Sequence, residues 1–290
     1  MPVIVKFGKI CGCVASGLRG LFIISFCVVF QTIEANGQVY GRANFRDYSK
    51  MTTVDTGSMR VLYAFNAEDI NAHETYEDLH RLEIGAYVSK YYSDFLFRND
   101  SLRTEWGKQN PNAEGSPFRV LNLGFLMHMN WSEYYFSNLL KDFSQGILTQ
   151  FTLMTRPVPN YRYSENIPTQ YWEILTDTLT VAGYLCQKAI CRYRGRDFVA
   201  WFAPDIPINN GPWKFGGLPG LILKIYDTEK HYVFECIQIR QQIFSITKDD
   251  PQLFSEISRE NFRRAVARIY DGTSNPLTPV PVVWNPIELE

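Results

Sequence analysis

Asp227 and Glu229 set two carboxylates in one short run, and His231, beside Tyr232, offers an imidazole as a separate candidate base. Paired carboxylates do general acid and base work, and histidine adds a base that titrates near neutrality. The run reads as a turn, where acidic residues are common, and no serine or cysteine can be tied to His231 as a nucleophile. Phosphate-cradling loops of the Gly-x-x-x-x-Gly-Lys type are absent. His73, His80, His128 and His231 are scattered, and no Cys-x-x-Cys occurs. The sequence therefore leads us to expect no catalytic set, no metal and no cofactor.

A second constellation suits binding instead. Arg196, Trp201, Trp213 and Lys214 fall close to Gly216-Gly217-Leu218-Pro219-Gly220-Leu221-Ile222, and Asp205 stands between them. If the loop folds over a sheet, aromatic walls with one or two charges form a cleft for a partly apolar ligand. The competing reading is a tryptophan core whose charges reach out to water. The glycines and proline of the motif specify one loop shape leading into a buried strand.

The elements that must position these residues are mostly strands. Loose apolar–polar alternation marks strands over 59–65 and 79–88, separated by a polar stretch. Residues 99–117 gather Asn, Gly, Pro and Ser and predict a loop. Residues 139–154 predict a hairpin turning at Ser144-Gln145-Gly146, with a helix over 132–143 as the alternative. Segments 172–175, 184–192, 198–203, 221–226 and 232–243 are joined by turn signals short enough to force antiparallel neighbours. The expected fold is α+β and mainly antiparallel, a curved, half-barrel-like meander. A helix starts at Ser258 and carries Phe262, Val266 and Ile269 as the stripe that faces the sheet. Its arginines, Arg259, Arg263, Arg264 and Arg268, are expected on a solvated face. Residues 273–290 form an extended, Pro-rich tail.

Lys6, Lys9 and Arg19 precede about ten apolar residues, and Ala35-Asn36-Gly37 supplies small residues at the exit, so 1–37 reads as a secretory signal peptide. The apolar run is too short for a transmembrane helix, which needs roughly 20 residues. A single β-rich domain over 38–272 follows. Loss of Lys6, Lys9, Arg19 and Glu34 moves the net charge from −1 to −3. That balance offers no footprint for nucleic acid. With the signal gone, Cys186, Cys191 and Cys236 remain. Cys186 and Cys191 would lie about 16 Å apart along one strand, too far to bridge. A disulfide would therefore join Cys236 to one of them, and three buried free thiols are the alternative.

Several further segments carry a resemblance: Leu82-Glu83-Ile84-Gly85, Ser89-Lys90-Tyr91-Tyr92-Ser93, Trp172-Glu173-Ile174-Leu175, Gly183-Tyr184-Leu185-Cys186, Gly211-Pro212-Trp213-Lys214-Phe215 and the ending Asn285-Pro286-Ile287-Glu288-Leu289. With the glycine motif, they make the chain resemble the GLPGLI family, exported proteins mainly of Bacteroidota. The resemblance runs from about residue 55 to the end. It implies a periplasmic or outer-membrane-facing protein of a Gram-negative cell and brings no activity with it. Two functions are compatible with this reading. One is a carrier of a hydrophobic ligand, whether lipid, lipoprotein or peptide, in the concavity of the sheet. The other is an accessory that docks on an outer-membrane transport or secretion complex through a sheet edge or the tail. An exported hydrolase is a distant third.

Overall fold

A computed structural model describes residues 46–112, 131–155, 157–270 and 285–290. The expected signal peptide, the end of the predicted 99–117 loop and most of the Pro-rich tail lie outside the described residues.

Among the described residues, twelve strands form one mostly antiparallel sheet that is curved and not closed into a barrel. They are β1 (Thr52–Phe65), β2 (Asp78–Gly85), β3 (Val88–Ser93), β4 (Ser137–Asp142), β5 (Ile147–Thr152), β6 (Tyr161–Asn166), β7 (Glu173–Val181), β8 (Tyr184–Tyr193), β9 (Arg196–Ala203), β10 (Leu221–Asp227), β11 (Val233–Lys248) and β12 (Ser255–Glu256). The spatial order is β12-β6-β5-β4-β3-β2-β1-β11-β10-β9-β8-β7. The chain meanders outward from β1 to β6, restarts at the far edge with β7, and walks back until β11 pairs with β1. Only β12 runs parallel to its neighbour, at Ser255–Tyr161 and Glu256–Arg162.

The predicted hairpin over 139–154 is present as β4 and β5, with Gly146 at φ +69° in its turn. The 79–88 segment is two strands broken at Ala86-Tyr87, and β7 continues to Val181 rather than stopping near 175. The largest departure is α1 (Asp94–Gln109), a helix where a loop was expected. Ser93 caps it, accepting the Leu96 N–H at 3.0 Å. Its weakly amphipathic sequence hides the helix, because it packs largely through polar groups. Arg81 pairs with Asp94, and Asp100 accepts the Arg46 N–H at 2.9 Å.

The two faces of the sheet differ. One collects Val61, Tyr63, Phe65, Leu82, Leu148, Phe198, Phe202, Leu223 and Phe234 into the main core. The second helix, α2 (Arg259–Tyr270), lays Phe262, Val266 and Ile269 against Trp131, Met154 and Tyr163, as its stripe predicts. Ser258 Oγ accepts the Asn261 N–H at 3.1 Å at its start. The other face carries a buried polar set in which Arg46 pairs with Asp249 at 2.9 Å and Asn138 donates to Asp249 at 2.7 Å.

The glycine motif folds back over the main core. Phe215 and Leu218 are fully buried, the Trp172 indole N–H donates to Gly216 O at 2.7 Å, and the Gly217 N–H donates to Asn209 Oδ1. Gly217 sits at φ +86°, and a Cβ on Gly220 would lie 2.2 Å from the Ala203 carbonyl oxygen. The three cysteines are buried and free, so the disulfide from Cys236 to Cys186 or Cys191 does not form. Burial pushes the thiols of Cys186 to about 11 and of Cys191 and Cys236 to about 12.

Gly220→Ala should lower the unfolding free energy by about 3 kcal/mol or more through backbone collision, and Gly217→Ala by about 1–2 kcal/mol through strain at positive φ. Urea unfolding of both variants checks this. Equal, unchanged midpoints would contradict it.

Candidate functional site

Curvature brings together strands that the sheet order separates. Seven strands lie between β6 and β9. Yet Arg194, on the β8–β9 turn, reaches Glu165 of β6 at 2.5 Å. Lys214, from the motif loop, also donates to Glu165 at 2.9 Å and to the Tyr163 hydroxyl at 2.9 Å. Between these groups lies the C-terminal segment, residues 285–290.

This segment runs through a groove whose side chains contact its backbone. Arg196 donates to the Pro286 carbonyl through Nε at 3.0 Å and Nη2 at 2.9 Å, and to Asn285 Oδ1. The Tyr232 hydroxyl donates to Asn285 O, and the Ile287 N–H donates to the Tyr134 hydroxyl at 2.9 Å. Arg263 donates to Glu288 O at 2.8 Å and Arg259 to Glu290 O at 2.5 Å, while the Leu289 N–H donates to Arg194 O at 2.9 Å. The Glu288 carboxylate takes Lys214 at 2.6 Å, Arg259 at 2.6 Å, and Arg194. Burial pushes this carboxyl up, but Lys214, Arg194 and Arg259 outweigh it and bring Glu288 from 4.5 down to about 2.

Three of the four residues expected to bind ligand therefore converge. Arg196 and Lys214 contact the segment. Trp213, at φ +52° and 5% exposed, lines the adjacent cavity between Tyr193 and Phe215. A bulky residue in that region of φ is strained, and such strain collects at ligand clamps. Trp213 belongs to the core and to the cavity wall at once. Trp201 stays apart on β9, half-buried with the Lys188 ammonium 5.7 Å from its ring. Asp205 is exposed in the turn after β9.

The helix arginines correct the expectation of a solvated face. Arg259 and Arg263 turn into the groove, whereas Arg264 pairs with Glu260 at the surface. Sequence reasoning also missed Tyr134, Glu165, Arg194 and Tyr232. They lie on four separate elements, and no local spacing connects them. The signal that was available is the ending Pro286-Ile287-Glu288, whose single acidic residue needs cationic partners if Ile287 is buried.

The cavity beside Glu288 measures about 40 Å³ and is lined by His80, Tyr91, Gln150, Tyr163, Trp213 and Lys214 among others. That holds roughly one water, far below the roughly 300 Å³ or more of ordinary ligand pockets. His80, which the sequence left as an isolated histidine, is buried there. Its Nε2 lies 2.9 Å from Asp78 Oδ2, and its Nδ1 meets the Tyr91 hydroxyl. On the opposite side, a surface recess of about 380 Å³ is bordered by Glu68, Asp69 and the Lys224–Glu235 pair.

Asp227, Glu229 and His231 also come together. His231 Nδ1 is 3.0 Å from Glu229 and 3.5 Å from Asp227. These are the described residues best placed to hold a metal ion. The Arg196 guanidinium, however, already sits 3.2 Å from Asp227 Oδ2 and supplies the positive charge that carboxylate needs. Asp227 Oδ1 meanwhile accepts the Tyr232 N–H at 2.7 Å. The run thus orients two groove residues, Arg196 and Tyr232.

Because Glu288 binds fewer protons in the folded state than in the unfolded one between about pH 4.5 and 2, it stabilises the fold above that window and the contribution is lost as pH falls through it. The native chain should lose urea resistance progressively over this range, and Glu288→Gln should flatten the slope. A variant with the native slope would contradict the assignment.

Two solved structures of PNGF-II, in space groups P21 and C2, are similar to this chain at 15% and 14% identity, each with a TM-score of 0.46 and covering 75% of this chain. The chain spans about a third of their length, 34% in each case. No curated protein matches it. No helix among the described residues is long and apolar enough to cross a membrane. Residues 192–224, which run from the end of β8 through the motif loop into β10, match the model of a Bacteroidota-associated family described as protein of unknown function (Porph_ging).

Proposed function

We propose that this chain is a non-catalytic, exported binding protein of the GLPGLI type, acting in the periplasm or at the outer membrane, whose concave face takes an extended, partly apolar peptide. The observation that carries this reading is the convergence of Arg196, Tyr134, Tyr232 and Arg263 on backbone carbonyls and an amide of residues 285–290. Donors that meet successive carbonyls suit a peptide. A lipid acyl chain offers nothing to pair with them. Of the hydrophobic cargoes compatible with the sequence, peptide or lipoprotein polypeptide fits best.

The test uses the full chain carrying Ile287→Ala, which removes the buried apolar anchor of the segment and leaves the groove's hydrogen-bonding side chains in place. Titrated with a fluorescent pool of hexapeptides and with a fluorescent fatty acid, it should bind peptide saturably and leave the fatty acid free. The reverse pattern, or binding of neither, would remove the reading.

One observation favours docking through a sheet edge as a second reading. β7 is an edge strand exposed on both faces, and Ile174 and Leu179 stand out from it with Leu185 of β8 beside them. Neither proline nor lysine guards this strand. A partner strand could extend the sheet there. Ile174→Lys combined with Leu179→Lys should then lose envelope cross-links that the native chain makes. Retention of every cross-link would count against the edge.

A further inference from the structure

The C-terminal segment occupies the groove as a ligand would. Its hydrogen bonds come almost entirely from side chains on five other parts of the fold: Tyr134, Arg194 and Arg196, Lys214, Tyr232, and Arg259 with Arg263 of α2. It joins no strand ladder of the sheet. Exposure along it is uneven. Ile287 and Glu288 are buried at 2% and 6%, whereas Asn285, Leu289 and Glu290 are exposed. Two anchors between exposed flanks are how short recognition segments sit in a receptor, with binding energy concentrated in a few buried residues.

Charge points the same way. Lys214, Arg194, Arg259 and Arg263 surround the place of the Glu288 side chain and main chain, and Glu165 is the carboxylate the groove supplies to them. Without Glu288, four cations would share Glu165, with Glu133 as the one further carboxylate that lines the cavity. Burying such an excess costs free energy unless an anion enters, so the groove demands a carboxylate at this point. The aliphatic residue before it is specified by the core that receives Ile287 beside Trp213 and Tyr134. The Arg196 fork on the Pro286 carbonyl fixes the approach.

We infer that the groove is a receptor for an extended segment of a partner protein in which a proline and an aliphatic residue precede a glutamate, and that residues 285–290 are a built-in competitor occupying it. This rests on the peptide-binding reading above and narrows it to one ligand pattern. A tethered competitor acts at an effective concentration in the millimolar range, so a partner gains access when its local concentration or added contacts exceed that of the tail.

The probe is fluorescein-labelled hexapeptide Asn-Pro-Ile-Glu-Leu-Glu, read by anisotropy against the full chain and against the full chain carrying Glu288→Gln, whose own tail is weakened at constant shape. The variant should bind the probe at least tenfold more tightly than the native chain does. A probe with glutamine in place of its first glutamate should bind the variant at least tenfold more weakly. Circular dichroism confirms that the variant is folded, and Ile287→Ala serves as the weakened host if it is not. Binding of unrelated apolar hexapeptides but not of the probe would overturn the inference while leaving the peptide-binding reading intact. Failure of every peptide on both hosts would overturn both. A native chain that dimerises with concentration, and a Glu288→Gln chain that does not, would make the occupant a second copy and overturn the assignment to a different partner.

Discussion

The Glu288 carboxylate, held by Lys214, Arg194 and Arg259, is the constraint on which the concave side of the protein depends. Each cation arrives on a different element: the motif loop, the β8–β9 turn and α2. Glu165 brings β6 to the same point. Removing two carboxylates and their cations from water carries a desolvation cost of several kcal/mol per ion, which good geometry offsets only when every member is paired. Lys214 meets that condition with three partners: Glu288, Glu165 and the Tyr163 hydroxyl.

This network also explains the open shape of the sheet. A curved twelve-stranded sheet left unclosed has two ends that must be held at a fixed separation. Here side-chain ion pairs between β6 and the β8–β9 turn span the gap that strand hydrogen bonds do not, and the glycine motif lies across it. Lys141 anchors that loop from β4, donating to Phe215 O at 2.7 Å and Asn210 Oδ1 at 3.0 Å. Among the described residues no carboxylate forms an ion pair with it, and burial brings its ammonium down to about 7. The loop is positioned by desolvated cations at both ends.

What the sequence made legible follows from the range of the interactions. The returning meander was readable because its turns are short and marked by glycine or acidic residues, and the α2 stripe because its period is local. The motif glycines were readable because positive φ at Gly217 and the close approach at Gly220 are properties of single residues. α1 was not readable, since the groups that hold it lie outside the helix: Arg81 on β2, and Arg46 54 residues before Asp100. Arg259 and Arg263 looked solvated for the same reason. Their partner is some 25–29 residues further on, in a segment whose path no periodicity predicts. Arg196, Trp213 and Lys214 could be grouped through their nearness to the motif, but what they surround could not be read from that spacing.

The central claim is that residues 285–290 occupy a receptor groove and leave it without unfolding the sheet. Native-state amide hydrogen exchange measures this directly, because the Ile287 and Leu289 amides are bonded only to the groove. Both should exchange through a local opening whose free energy is clearly below that of the β1 amides at Val61 and Tyr63 and does not change with low denaturant. Exchange of Ile287 and Leu289 at the same free energy as the β1 core would show that the segment is part of the cooperative fold, and would contradict the account.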